Sequence, residues 1–247
     1  MVKIICCLLN YKNDENCIRW YNILSSHYKT YIIDTFHKED GSNFENSIKI
    51  DNLILLDNVY WGGSQIKAYE ILCKENGDYL LTIDTDIEID DSNAEKMIQA
   101  LNIFNKYDNI GVYSGTLKLG SKALGSTMVK IFNCHLYNQG TGQLRNIYRN
   151  EGWLNVFKKE VLDDIIPHLK LPDNKYGWGL ANALCRRAIK RGLRIVGDDR
   201  YEVFHPPGVN YNNLEAQEEE NQFKKRYWEL DLILDEEKEE IFNNIKN

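Results

Sequence analysis

The sequence predicts one α/β domain, a mostly parallel central sheet buried on both faces by helices and followed by a charged helical tail. Three observations carry this reading. Short continuous apolar runs such as Ile4 to Leu9 lack the polar–apolar alternation of a half-exposed strand. Stretches with helical apolar spacing separate these runs, the pattern of parallel strands joined by crossover helices. The composition, 43% hydrophobic and 27% charged with 16 Gly and only 4 Pro in 247 residues, is that of a globular chain long enough for one substantial core.

The elements follow in order. "VKIICCLL" is a first strand, Glu15 to Ser26 a helix, and "KTYIID" and "NLILL" two further strands. A helix from about Ser64 to Glu75 leads into the strand "DYLLTID", and a helix from Ser92 to Asn105 into "NIGVYSG". Gly115 to Gly152 is less patterned and should hold a strand or two among loops. "GWLNVFKKEVLDDIIPHL" reads as a strand running into a helix, "GLANALCRRAIKRG" as a helix with basic residues near its end, and "LRIVG" as a strand. From Leu214 the tail sets Phe223, Tyr227, Leu230, Leu234 and Ile241 at roughly helical spacing. Such a stripe reads first as a packing arm; docking to a membrane surface or a partner is the other reading.

A net charge of −7 argues against nucleic-acid binding, which draws its affinity from clustered Lys and Arg. A nucleotide would instead bind through a divalent cation. The opening apolar run is too short for a signal segment or a membrane span. The six cysteines show no CxxC spacing, so reduced thiols and a cytoplasmic location are expected.

The sharpest local feature is "YLLTIDTDIEID", in which an apolar strand delivers Asp84 and Asp86 to its end, two residues apart and on one side of an extended chain. Like charges this close repel unless a cation neutralises them, and Mg²⁺ or Mn²⁺ favours such oxygen ligands while leaving positions for phosphate oxygens. A solvated acidic turn is the plain alternative. A calcium loop fits Asp84, Asp86, Glu88 and Glu95 but puts Ile89 where a sharp turn wants Gly. A haloacid dehalogenase-type phosphohydrolase would use Asp84 as nucleophile and Asp86 as acid, with Asp198 and Asp199 as further ligands. It has Glu88 where that family has Thr or Val.

Taken together, "IICCLLNYKN", "YIIDTF", "NVYWGGSQIKAYEIL", the DxD strand and "YGWGLANALCRRAIKRGLRIVGDDRYEVFHPPG" resemble glycosyltransferase family 2 and its GT-A relatives over about Val2 to Gly208. The resemblance implies a GT-A, Rossmann-like fold in which 1–110 is a nucleotide-sugar-binding half and 111–210 an acceptor-binding half; 211–247 is the helical tail read above from its spacing. It implies transfer of a sugar from a nucleotide-diphosphate sugar, UDP-linked by the family's habit, to a glycan or glycoconjugate in polysaccharide biosynthesis. Donor contacts would come from Asn10, Tyr11, Asp34, Trp61, Gly62, Gly63, Asp84, Thr85 and Asp86. Tyr11 would lie against the base, Asp34 would accept from base or ribose, and the glycines would allow close backbone approach. Asp84, Asp86 and His205 would hold Mn²⁺ or Mg²⁺. Glu151, Gly152, Trp153 and Trp178 would line the acceptor pocket, although either tryptophan reads equally as core.

The chain departs from the pattern at one point. Inverting relatives carry an Asp base directly after the segment that reads "GWGL" here, and this chain has Ala181. An Asp-to-Ala replacement, a base moved to Asp173 or Glu151, and retaining or absent catalysis all remain open. A non-catalytic sugar-nucleotide or glycan-binding module is the rival reading.

Overall fold

The structure is a computed structural model that describes residues 2–36, 52–57, 59–121, 136–147, 149–169, 174–206 and 213–226. Its strands are β1 (Ile4–Asn10), β2 (Lys29–Asp34), β3 (Leu53–Leu55), β4 (Tyr79–Asp84), β5 (Ile110–Leu117), β6 (Leu144–Asn146), β7 (Leu154–Lys158) and β8 (Arg194–Val203). They form one sheet in the order β3-β2-β1-β4-β7-β5-β8-β6. β3, β2, β1 and β4 run parallel, β7 is antiparallel to both β4 and β5, β8 is parallel to β5, and β6 is antiparallel to β8.

Residues of β1 alternate between two cores. Ile4, Cys6 and Leu8 pack in one apolar cluster with Cys17, Trp20 and Leu24, whereas Ile5, Cys7 and Leu9 pack in the other with Ala68, Ile71 and Leu72. All seven residues of the strand are buried, as its unbroken apolar run requires. The covering helices are α1 (Asp14–Ser25), α2 (Tyr60–Lys74), α3 (Asp91–Ala100), α4 (Lys159–Asp163), α5 (Leu180–Lys190) and α6 (Asn213–Arg226). Among the described residues none is long and apolar enough to cross a membrane.

Three boundaries differ from the sequence expectation. The helix expected over Ser92 to Asn105 is α-helical only to Ala100 and tightens to a 3₁₀ helix over Leu101–Asn105. α2 starts at Tyr60, not near Ser64, because Gly62 and Gly63 are buried inside its first turn. The last strand runs on from "LRIVG" to Val203, because Asp198 and Asp199 are neutralised within it. Of the tail, α6 docks through buried Ala216 and Phe223, and Glu215 accepts hydrogen bonds from Lys175 and Tyr176. Tyr227, Leu230, Leu234 and Ile241 lie outside the described residues, as does Cys134; Cys6, Cys7, Cys17, Cys73 and Cys185 are free thiols.

α4 and α5 are tied by Asp164, which accepts from Arg191 and from Arg187, each at 2.5 Å. The Arg191 bond, opposed by burial and helped by Arg187, holds the Asp164 carboxyl below the usual carboxylate range. A depressed folded-state pKa gives stability that is present above the unfolded value and lost as pH falls through the folded one. Asp164→Asn should therefore cost about 1 kcal/mol at pH 7, since both arginines are partly solvated. Urea unfolding should show that difference shrinking progressively below about pH 4.

Candidate functional site

The carboxyl ends of β1, β2 and β4 place Asn10, Asp34 and Asp84 side by side, with Asn10 paired to Asp34 and Leu9 paired to Asp84 in register. Asn10 is the hub. Its amide donates to Asp34 Oδ1 at 3.1 Å and Asp14 Oδ1 at 2.9 Å, and its Oδ1 accepts from Thr85 Oγ1 at 2.8 Å. Asn10, Asp34 and Thr85 are all buried, so this network fixes the strand ends.

Beyond it the chain turns at Lys12, whose φ of 60° is left-handed. The turn brings the Lys12 ammonium over the Phe36 ring at 4.2 Å and the Tyr11 ring at 5.0 Å, while the two rings meet edge to face at 5.4 Å. A partly exposed aromatic pair topped by a cation offers a flat apolar surface beside positive charge. Lys12 and Phe36 carried no signal in the sequence, because only the pairing of β1 with β2 makes them neighbours.

The acidic turn is held from behind by α1 and the residue that caps its start. Asn13 and Asn16 donate to the Thr85 carbonyl at 2.8 and 2.6 Å, and Asn16 and the Trp20 indole donate to the Ile87 carbonyl at 2.8 and 2.7 Å. The signal in the sequence was the i, i+4 spacing of Asn16 and Trp20 on one helix face, with Asn13 at the helix entry. Asp86 is left exposed, while Asp84 is half-buried. Burial first, and then the Asp86 charge, push the Asp84 carboxyl well above the usual carboxylate range, and a hydrogen bond from Trp61 opposes them.

His205 arrives from the far end of the chain. Glu88 and Phe204 form a two-bond antiparallel bridge, with N–H···O distances of 2.8 and 2.9 Å, and this sets His205 Nε2 at 3.5 Å from Asp86 Oδ2. Trp153 stacks on the His205 ring at 5.7 Å and 27°. Among the described residues no group of three His, Cys, Asp or Glu side chains is drawn together tightly enough to hold a metal unaided. The donor set nevertheless fits Mg²⁺ or Mn²⁺. Such ions retain waters and bind through one or two carboxylates plus substrate phosphates, and the Asp84–Asp86 repulsion is the kind a cation relieves.

The third segment of the site is built on glycines. Trp61 Nε1 donates to Asp84 Oδ1 at 2.9 Å. A Cβ on Gly152 would fall 2.4 Å from Trp61 Cζ2, and one on Gly177, where φ is +72°, only 2.0 Å from Cε3. Gly62 leaves room for the Asn174 carbonyl, 2.1 Å from where its Cβ would stand. Asn174 in turn accepts from the Gly177 N–H and donates to the Trp178 carbonyl.

The structure thus gathers Asn10, Asp34, Thr85, Asp84, Asp86, His205, Trp61 and Trp153 at one sheet edge. Trp153 is only 3% exposed and lies stacked behind His205. Glu151 is buried and Trp178 half-buried. Ala181 is buried in the first turn of α5, and Asp173 lies outside the described residues. Asp198 and Asp199 do not join Asp84. The first is taken by Arg200 and Tyr113 and the second by Arg145 and Thr141, which removes the ligands the phosphohydrolase reading needed.

A mostly parallel sheet of this order, with the acidic turn at its carboxyl edge, is a GT-A-like, Rossmann-like α/β fold. The chain is similar to GalNAc-T7 in a crystal structure with UDP, GalNAc and Mn²⁺: TM-score 0.55, 10% identity, covering 85% of this chain and 45% of that one. It thus spans less than half of the GalNAc-T7 chain, and at this identity the likeness is one of fold. Mannose-1-phosphate geranyltransferase from Thermus thermophilus matches at TM-score 0.46 and 11% identity, over 82% of this chain and 76% of that one. CMP:2-keto-3-deoxy-manno-octonic acid synthetase complexed with CTP matches at 0.47 and 9%, over 90% and 99%. No protein-family model and no curated protein sequence matches the chain.

The glycine slot makes a stability prediction. Gly177→Ala adds a methyl group into the Trp61 ring at positive φ, whereas Gly140→Ala, at φ +67° with open space around it, meets the backbone cost alone. Chemical denaturation should show a loss of about 1 kcal/mol for Gly140→Ala and at least twice that for Gly177→Ala.

Proposed function

We propose that the chain is a metal-dependent glycosyltransferase that moves a sugar from a nucleotide-diphosphate sugar, UDP-linked by default, to a hydroxyl of a glycan or glycoconjugate. The observation that carries this reading is the meeting of Asp86 with His205 beside Asp84, at the sheet edge where α/β folds collect ligands. That the fold is shared with a protein crystallised with UDP, GalNAc and Mn²⁺ supports the same reading.

In this mechanism Tyr11 and Phe36 receive the flat face of the base, and Lys12 stands beside them as a cation for the anionic donor. Asp84, Asp86 and His205 would hold Mn²⁺ or Mg²⁺, which supplies positive charge for the departing diphosphate. Asn13, Asn16 and Trp20 keep the acidic turn rigid, so little reorganisation is needed as that charge develops. The acceptor approaches over the 151–153 and 177–179 segments, whose Trp178 is the half-exposed aromatic.

Removal of the acceptor proton is the open position. Ala181 has no group for it, and Glu151 is the carboxylate of the acceptor-side segment within the described residues. An inverting displacement needs that base. Ala181 also favours a second reading, a sugar-nucleotide or glycan-binding module without turnover.

Two measurements separate the readings. UDP, GDP and dTDP, each with and without Mn²⁺, should give a melting temperature raised only by a matching nucleotide with metal, since a ligand that binds only the folded state stabilises it. Asp86→Ala should abolish the rise, and a flat response across the whole panel would overturn the assignment. Ala181→Asp should raise nucleotide release in the presence of acceptor by about 100-fold or more if position 181 is the base. Equal turnover in both chains would place the base elsewhere, and binding without turnover in both would favour the module.

A further inference from the structure

We propose that Trp61 is a positioning residue for Asp84, a clamp that aims one carboxylate oxygen at the ligand by occupying the other; this rests on the donor-site reading above. The sequence resemblance assigned Trp61 to direct donor contact, but the geometry directs its only polar atom at the protein. Its Nε1–H meets Asp84 Oδ1 at 2.9 Å, leaving Oδ2 as the oxygen without that bond.

The indole cannot easily turn away. Gly152 lies against its Cζ2 edge and Gly177 against its Cε3 edge, both closer than any Cβ would permit. The backbone beneath it is fixed too: Tyr60 sits at a left-handed φ of 53°, and the Gly62 N–H donates to the Lys175 carbonyl at 2.8 Å. Three separate segments, 60–62, 151–153 and 174–177, therefore converge on the orientation of one carboxylate. A chain that needed only an apolar filler here would not require an N–H directed at an acid, nor two glycines to admit the ring. Groups that orient a ligating carboxylate typically change metal affinity 10–100-fold when lost.

The test uses the whole chain with UDP and Mn²⁺ as probes. Trp61→Phe keeps an aromatic ring and removes the donor, and Trp61→His restores a ring N–H. Trp61→Phe should raise the Mn²⁺ concentration needed for half-maximal stabilisation by UDP about tenfold, and Trp61→His should recover part of the loss. In the metal-free protein, the Trp61 indole N–H resonance should move when Asp84 is changed to Ala. That signal is identified by its absence in Trp61→His, so it reads the hydrogen bond even if Trp61→Phe proves unstable.

Wild-type Mn²⁺ dependence in Trp61→Phe, or an indole resonance indifferent to Asp84→Ala, overturns the role assigned to Trp61 and leaves the donor-site reading intact. A wild-type chain that binds no nucleoside diphosphate with Mn²⁺ overturns both.

Discussion

Everything at the site depends on holding two carboxylates together at the end of a buried strand. Asp84 and Asp86 would separate if the turn were free, because nothing in the strand itself opposes their repulsion. Two carbonyls of that turn, Thr85 and Ile87, instead accept from the first helix and its N-cap: Asn13, Asn16 and Trp20. Once the backbone is fixed in this way, the side chains have few orientations left.

Sheet topology then decides what can reach the turn. The parallel strands β1, β2 and β4 end at the same edge, and β7, entering antiparallel beside β4, begins there, with Leu154 opposite Ile83. That inversion carries residues 151–153 to the edge already occupied by Asp84. The Glu88–Phe204 bridge does the same for His205, which would otherwise be a histidine at the end of an ordinary strand. Tight packing among these segments explains the glycines: the space beside Gly62, Gly152 and Gly177 is filled by neighbouring backbone or the Trp61 ring.

The far half of the sheet shows charge used for scaffolding. Asp198 is buried yet accepts from Arg200 and Tyr113, and Asp199 from Arg145 and Thr141. Their full satisfaction contrasts with Asp86, which stays exposed at the edge. Adjacent acids in the sequence thus meet opposite fates, set by whether an arginine folds onto them.

The α/β class, the buried parallel strands and the acidic strand end are legible in the amino-acid order alone, because apolar periodicity and chain order are local properties. So is the absence of an acid at position 181. That Trp61 meets Asp84, that Trp153 backs His205 and that Lys12 tops the Tyr11–Phe36 pair emerges from the folded chain. The fold also separates the arginine-paired Asp198 and Asp199 from the exposed Asp86 beside His205. The reason is physical: these outcomes turn on contacts between residues far apart in the chain, and a side chain's charge state and orientation follow from its neighbours in space.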